Sequence, residues 1–556
     1  MMRSFLTFEV TKFSKYYKTK SLAKIITTLL FLVVFGFVAM GVYYFFLSGF
    51  RFINYEAVDD IRLGLTLFIY EVFLLVLMGL VVFGTAVTGI FSLFRTNYNS
   101  WVLSSPSYVV LPRTLFIKSI FASVLPLLVV FLPAVLAFNT INKLDGESII
   151  FILFSFALLI ITLNALTLLF ITLVGTLYRI LTKFIPLLTF SFRGYITLLL
   201  LLVLSGVALL WRALITLDLG DVFKGKEPTD AVSVESIGAY FHYLPTHPFA
   251  LQILNWQNGA VTDALLGVVI LVSMAVISSC IWWYASKLFY PLWQTFQEGA
   301  STKSKNTIAL FGSSFVYRFT GDITSVLFKK EALISTRNLK GVLWFLFLMF
   351  IWLLQIGANL ILDNNLYRYQ GNISQKLILL QTIQFIIAVY FISAFTLRFV
   401  FPSFSVEKNT AWILGTAPIN FKRIFFGKYF FYTLFFIGVG ILMSYINSLI
   451  LGLTLIQGLY SMGLLIFAII FVVTLGLTFS VAFPNYETDD PEVISTSMPG
   501  LFFTGIALIY GAIASLVLRS TLTTGDSTLA LFFIIFSFGI TGVLLSAIPR
   551  RAAHIA

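Results

Sequence analysis

Long apolar runs broken by short polar stretches dominate this chain. We read twelve, at roughly 25–47, 63–91, 114–138, 149–176, 194–217 and 263–286, then 341–362, 377–400, 425–446, 455–482, 499–518 and 528–548. Each holds enough apolar residues to cross about 30 Å of hydrocarbon as a helix. The runs are continuous and do not alternate apolar with polar, which predicts helices and excludes a membrane β-barrel. Composition agrees: 59% of residues are hydrophobic, only 11% are charged, and mean hydropathy is +0.99. Soluble domains carry about 25% charged residues, so a water-facing surface is excluded. The chain is expected to be an all-α integral membrane protein.

The polar stretches contain a repeat. NSWVLSSPSYVVLPRTLFIKSIF occupies 99–121, and TAWILGTAPINFKRIFFGKYF occupies 410–430. Trp101 pairs with Trp412, Pro106 with Pro418, Arg113 with Arg423 and Lys118 with Lys428. Both stretches interrupt the apolar pattern between the second and third runs of a set of six. Aromatics interleaved with bases at 1–24 and again at 315–340 predict a helix lying in the headgroup region ahead of each set. The expected plan is two six-helix repeats, residues 1–286 and 315–556, joined by a linker at 287–314. Six is even, so both repeats enter the membrane the same way, as parallel repeats about an axis along the membrane normal.

Charge sets the orientation. The chain has 36 Lys and Arg against 23 Asp and Glu, a net charge of +13. Most bases fall in segments that share one side if the N-terminus is cytoplasmic, including Arg3 to Lys24, Lys287 to Lys340, Arg398 to Lys428 and Arg550-Arg551. Cytoplasmic loops retain such bases. Both termini and both repeated stretches are therefore expected in the cytoplasm, with the bases facing anionic lipid. This placement, close to span ends, argues against a nucleic-acid partner. The apolar run after residue 24 is too long for a cleaved signal.

In the second stretch, Glu407 and Lys408 supply charge, Trp412 and Ile413 supply anchors, Pro418 breaks the helix, and Lys422-Arg423 restart it. The order of acid, apolar anchor, small-x-Pro, base and Gly-Lys resembles the cytoplasmic loop between the second and third spans of ATP-binding-cassette exporter permeases. The whole chain resembles the long single-chain bacterial permeases of that class, with six spans per half. The resemblance implies a coupling element in each half that docks on an ATPase subunit. Glu407, Lys408, Trp412, Pro418 and Arg423 would form one, and Trp101, Pro106 and Arg113 the other. The first stretch has no acid at the place of Glu407. The resemblance further implies two partner ATPase chains, which hold the ATP and Mg, and an amphipathic, peptide or lipid-like export substrate in a bacterial cell membrane.

Chemistry within the chain itself is sparse. GDVFKGKE at 220–227 approaches a phosphate-binding loop, but Glu227 stands where Ser or Thr must hold magnesium. The topology also places it outside. His242 and His247 lie five apart in an outer loop without nearby Cys, a poor metal site, and read as residues packed under aromatics. Lone Cys280 makes no disulfide. No cofactor, metal or enzymatic activity is expected in the chain. Glu71 is the clear acid within a span, so it must face protein or water. Gln381 and Gln384 hold the corresponding depth in the other half, and all three are candidates for a substrate pathway or for helix–helix hydrogen bonds. Two other readings remain open: an ATP-independent secondary transporter or lipid scramblase, and a membrane scaffold.

Overall fold

The computed structural model describes most of residues 29–51, and, apart from isolated positions, residues 59–94, 109–184, 192–215, 238–298, 322–361, 373–407, 421–484 and 494–552. Among these, every regular element is a helix. The order is α1 (Asp59–Phe94), α2 (Val110–Asn142), α3 (Gly146–Phe184), α4 (Phe192–Ile215), α5 (His247–Gln257), α6 (Val261–Ala285) and α7 (Phe289–Glu298). It continues with α8 (Asp322–Arg337), α9 (Leu339–Ile361), α10 (Ile373–Phe395), α11 (Phe421–Ile450), α12 (Leu455–Ala482), α13 (Met498–Thr524) and α14 (Thr528–Ala552).

Eight helices among the described residues are long and apolar enough to cross a membrane, within α1, α3, α6 and α10 to α14. The other four expected spans coincide with shorter apolar helices, Phe35–Tyr44, Val130–Ile141, Gly194–Gly206 and Gly341–Leu353. The chain is thus an all-helical protein in which eight of the twelve expected spans are, among the described residues, helices of membrane-crossing length. Their outward faces carry Leu, Ile and Phe, as a lipid solvent requires.

Contacts divide the chain into two compact units, the first made mainly of Phe35–Lys303 and the second of Ser304–Ala556 together with Ser21–Val34. In the first, α3 is the central post, packed by α1, α2, α5 and α6. Its core stacks aromatic rings, with Phe131 and Phe156 lying parallel at 3.9 Å. Two polar side chains join α1 to α3 inside the apolar region: the Thr85 hydroxyl donates to Asn164 Oδ1 at 2.7 Å, while Asn164 Nδ2 returns to the carbonyl of Ile160. In an apolar solvent such bonds hold helices together, because the alternative is an unsatisfied polar group.

In the second unit α12 is central, packed by α10, α11, α13 and α14. Local sequence starts and stops these helices. Thr454 and Gln457 form a capping box at the start of α12. Gly525, with φ +71°, ends α13 in the left-handed conformation that glycine adopts without strain.

One irregular segment positions the site. After α10 the chain forms a π-turn at Thr396–Val400 and 3₁₀ turns at Phe401–Ser403 and Ser405–Glu407. Pro402 lacks the N–H that a continuing helix needs. The Phe404 N–H is instead held by Ser480 Oγ at 3.2 Å, and Ser495 Oγ bonds the Leu397 carbonyl. α12 approaches this segment closely. A Cβ added at Gly476 would lie 2.5 Å from Thr396 Cγ2.

Candidate functional site: a buried charge cluster at the ends of the polar loop

The π and 3₁₀ turns deliver Glu407 to the base of the second unit. Helix α11 delivers Lys428 two turns from its start, and α8 delivers Lys330 and Glu331. The four meet. Lys428 Nζ lies 2.6 Å from Glu331 Oε1 and 3.0 Å from Glu407 Oε1, and donates a third bond to the Ser403 carbonyl at 3.3 Å. Lys330 also donates to Glu407 Oε1. The Tyr432 hydroxyl donates to the second oxygen of Glu331 at 3.3 Å, and the Lys428 ammonium sits 5.0 Å from the centre of the Phe404 ring. Lys428, Glu331 and Glu407 are all buried, at 2%, 3% and 6% exposure.

A buried charge is tolerated only when paired and hydrogen-bonded, and each charge here is both. The geometry is a staple. Glu407 and α11 bound the polar stretch 408–420, so Lys428 ties the entry of that stretch to its exit. Glu331 ties both to α8, the helix expected at the headgroup level. Gly427 lets α11 and α8 meet, since a Cβ there would come within 2.8 Å of Leu327 Cβ.

Several expected site residues find places here and others do not. Glu407 is turned inward to Lys428 and Lys330, while Arg423 and Lys422 are exposed. Trp101, Pro106, Lys408, Trp412 and Pro418 lie outside the described residues, as does the phosphate-loop-like 220–227. In the first unit the equivalent positions behave differently. Lys118, the counterpart of Lys428, is exposed. Arg113, the counterpart of Arg423, is held: its guanidinium stacks 4.1 Å over Trp283 and reaches Ser286 Oγ and the Trp283 carbonyl, each at 3.3 Å. The first unit therefore ties the start of α2 to the end of α6 by an arginine, whereas the second ties the start of α11 to Glu407 and α8 by a lysine between two carboxylates.

Glu71 has a partner that its own span did not reveal. His247, at the start of α5, places Nδ1 2.5 Å from Glu71 Oε1, with Glu71 fully buried. The helix that carries His247 is packed inward, burying Phe249, Ala250, Ile253 and Leu254. Gln381 and Gln384 are also buried, against α11 and α12. Sequence reasoning missed Glu331, although an acid in KKEAL, within a basic helix, was a visible signal for an internal partner.

No curated protein and no solved structure matches the chain. A family model does, along nearly its whole length. Matching that model over residues 20–536, the chain belongs to the family described as "Putative ATP-binding cassette".

Proposed function

We propose that the chain is the membrane subunit of an ATP-driven exporter, powered by a separate ATPase present in two copies. The family membership supports an ATP-binding-cassette context, and the spanning helices support the membrane role within it. The observation that carries the reading is the staple of Lys428, Glu407 and Glu331 around the polar stretch 408–420. A loop that receives force from a partner must pass displacement into the membrane helices and not absorb it in soft backbone torsions. The staple joins α8, the end of α10 and the start of α11 at one point. A pull on 408–420 is therefore felt by three elements together.

In this reading ATP binding closes the two ATPases on the cytoplasmic side. They draw on 408–420 and on the 99–108 stretch, and the six-span halves tilt to open a pathway outward. Arg423 is the contact toward the ATPase, exposed where Glu407 is not. Glu407 acts from inside, holding the loop's end. ATP and Mg belong to the partner, and the exported molecule is amphipathic, peptide-like or lipid-like.

The test is purification of the intact chain from its own membrane. An ATPase should accompany it, and Arg423→Glu should abolish that association while leaving the melting temperature unchanged. Recovery of the chain without any ATPase, or association indifferent to Arg423→Glu, would contradict the reading.

The buried Glu71–His247 pair favours one second reading, a proton-coupled carrier, because a carboxylate and an imidazole within the membrane can hold and release a proton. Transport by the chain alone in liposomes, driven by a pH gradient without ATP, would select it.

A further inference from the structure

The second unit encloses a group of uncharged polar side chains beneath the turn from α11 to α12. Gln381 and Gln384 lie one turn apart on α10. Ser444 and Asn447 lie one turn apart on α11, facing them. Their exposures are 3%, 3%, 5% and 7%. Gln381 Nε2 is satisfied by the Gln457 carbonyl at 3.1 Å. Five atoms have no hydrogen-bond partner among the described residues: Gln381 Oε1, both amide atoms of Gln384, Ser444 Oγ and Asn447 Oδ1. All four residues line one cavity of about 10 Å³, with Ser448 and Ser461 at its wall. Among the described residues, no charged side chain lines it.

Unsatisfied amide groups buried within a membrane protein cost stability, because each has given up its hydrogen bonds to water. Four polar residues on two helices aimed into one space are the signature of a site built for a ligand, at the expense of stability. The donor and acceptors present suit a neutral group that both gives and takes hydrogen bonds. A space of that size holds about one water, so it admits only the terminal hydroxyl or amide atom of such a group, while the adjoining outward faces of α11 and α12 are apolar, with Leu449, Leu455 and Leu459 exposed.

We propose that this cavity is a subsite for the uncharged polar end, a carboxamide or hydroxyl, of an amphipathic molecule whose alkyl part remains in lipid. The subsite deepens the exporter reading by giving the chemical class of its substrate. It discriminates against charged ends, because an ion there would lose its hydration without a counter-charge.

The experiment uses the full chain in nanodiscs, without any ATPase, so its failure leaves the coupling proposal intact. Two photoactivatable dodecyl probes are compared, one ending in a carboxamide and one in a sulfate, and labelled positions are mapped by mass spectrometry. The carboxamide probe should label the 444–453 segment, and the sulfate probe should not. Gln384→Leu and Asn447→Leu should each cut the carboxamide labelling about fivefold, the loss of roughly one buried hydrogen bond. Neither should lower the melting temperature, because each replaces an unsatisfied amide with an apolar side chain of similar size. Equal labelling by both probes would overturn the proposal, as would labelling that survives both substitutions. A lowered melting temperature in both variants would overturn it too, since the cluster would then be a structural bond network.

Discussion

Lys428 shows how little a side chain's position in a sequence says about its setting. In the pattern of polar and apolar positions it merely opens an apolar run, as Lys118 does in the other half. In the structure Lys428 is 2% exposed between two carboxylates, whereas Lys118 faces outward. The difference arises from acids far along the chain, 97 residues away at Glu331 and 21 at Glu407, and no local pattern encodes those meetings. Glu71 repeats the lesson. Its need for a partner was legible from its depth in a span, but His247 lies 176 residues away. Truncation by His247→Ala is expected to cost about 2–3 kcal/mol, because it leaves a buried carboxylate short of a hydrogen bond. Glu71→Gln should cost less, since an amide still bonds the imidazole. Thermal unfolding of the purified variants checks both. Arg113→Lys should cost about 1 kcal/mol, through loss of the stacked fork over Trp283.

At the scale of elements, the apolar pattern located the helices well because length and hydropathy decide what a membrane helix is. Irregular backbone was not legible. The π-turn and 3₁₀ turns after α10 depend on Ser480 and Ser495 capturing backbone groups from other helices. The close approach that lets α12 reach them depends on Gly476. Gly476→Ala is expected to destabilise by about 1–3 kcal/mol through overpacking against Thr396, read as a lowered melting temperature. The staple makes a sharper prediction. Lys428→Met should cost about 3–5 kcal/mol, because it strands two buried carboxylates, whereas adding Glu331→Leu and Glu407→Leu should restore most of that stability. The triple variant would then fold normally but transmit poorly. It should bind the ATPase and still show little substrate-stimulated ATP hydrolysis. Full stimulation in the triple variant would show that the charges serve folding alone.

For the whole molecule, composition alone fixed the solvent, and the family match over 20–536 agrees with the context that the polar stretch at 401–428 suggested. The chain divides into two units near the expected linker, each built around one central helix, α3 or α12. The units differ at the helix that follows the polar stretch, one holding Arg113 of α2 on Trp283 and the other holding Lys428 of α11 between acids. That difference was half visible in the sequence, as the missing counterpart of Glu407. Under the proposed coupling, the two halves are expected to respond unequally. Arg423→Glu and Arg113→Glu should both lower ATPase association, but only Arg113→Glu should also lower the melting temperature, because only Arg113 is packed.

The most direct test of the central claim is a nucleotide-dependent cross-link at the exposed end of the staple. With Cys280→Ala removing the native thiol, Arg423→Cys places a single cysteine beside the 408–420 stretch, and a short thiol-to-amine cross-linker is added to native membranes with and without ATP. The account predicts a cross-linked ATPase whose yield changes on ATP binding. Absence of any ATPase adduct, in membranes where the chain still exports, would contradict it.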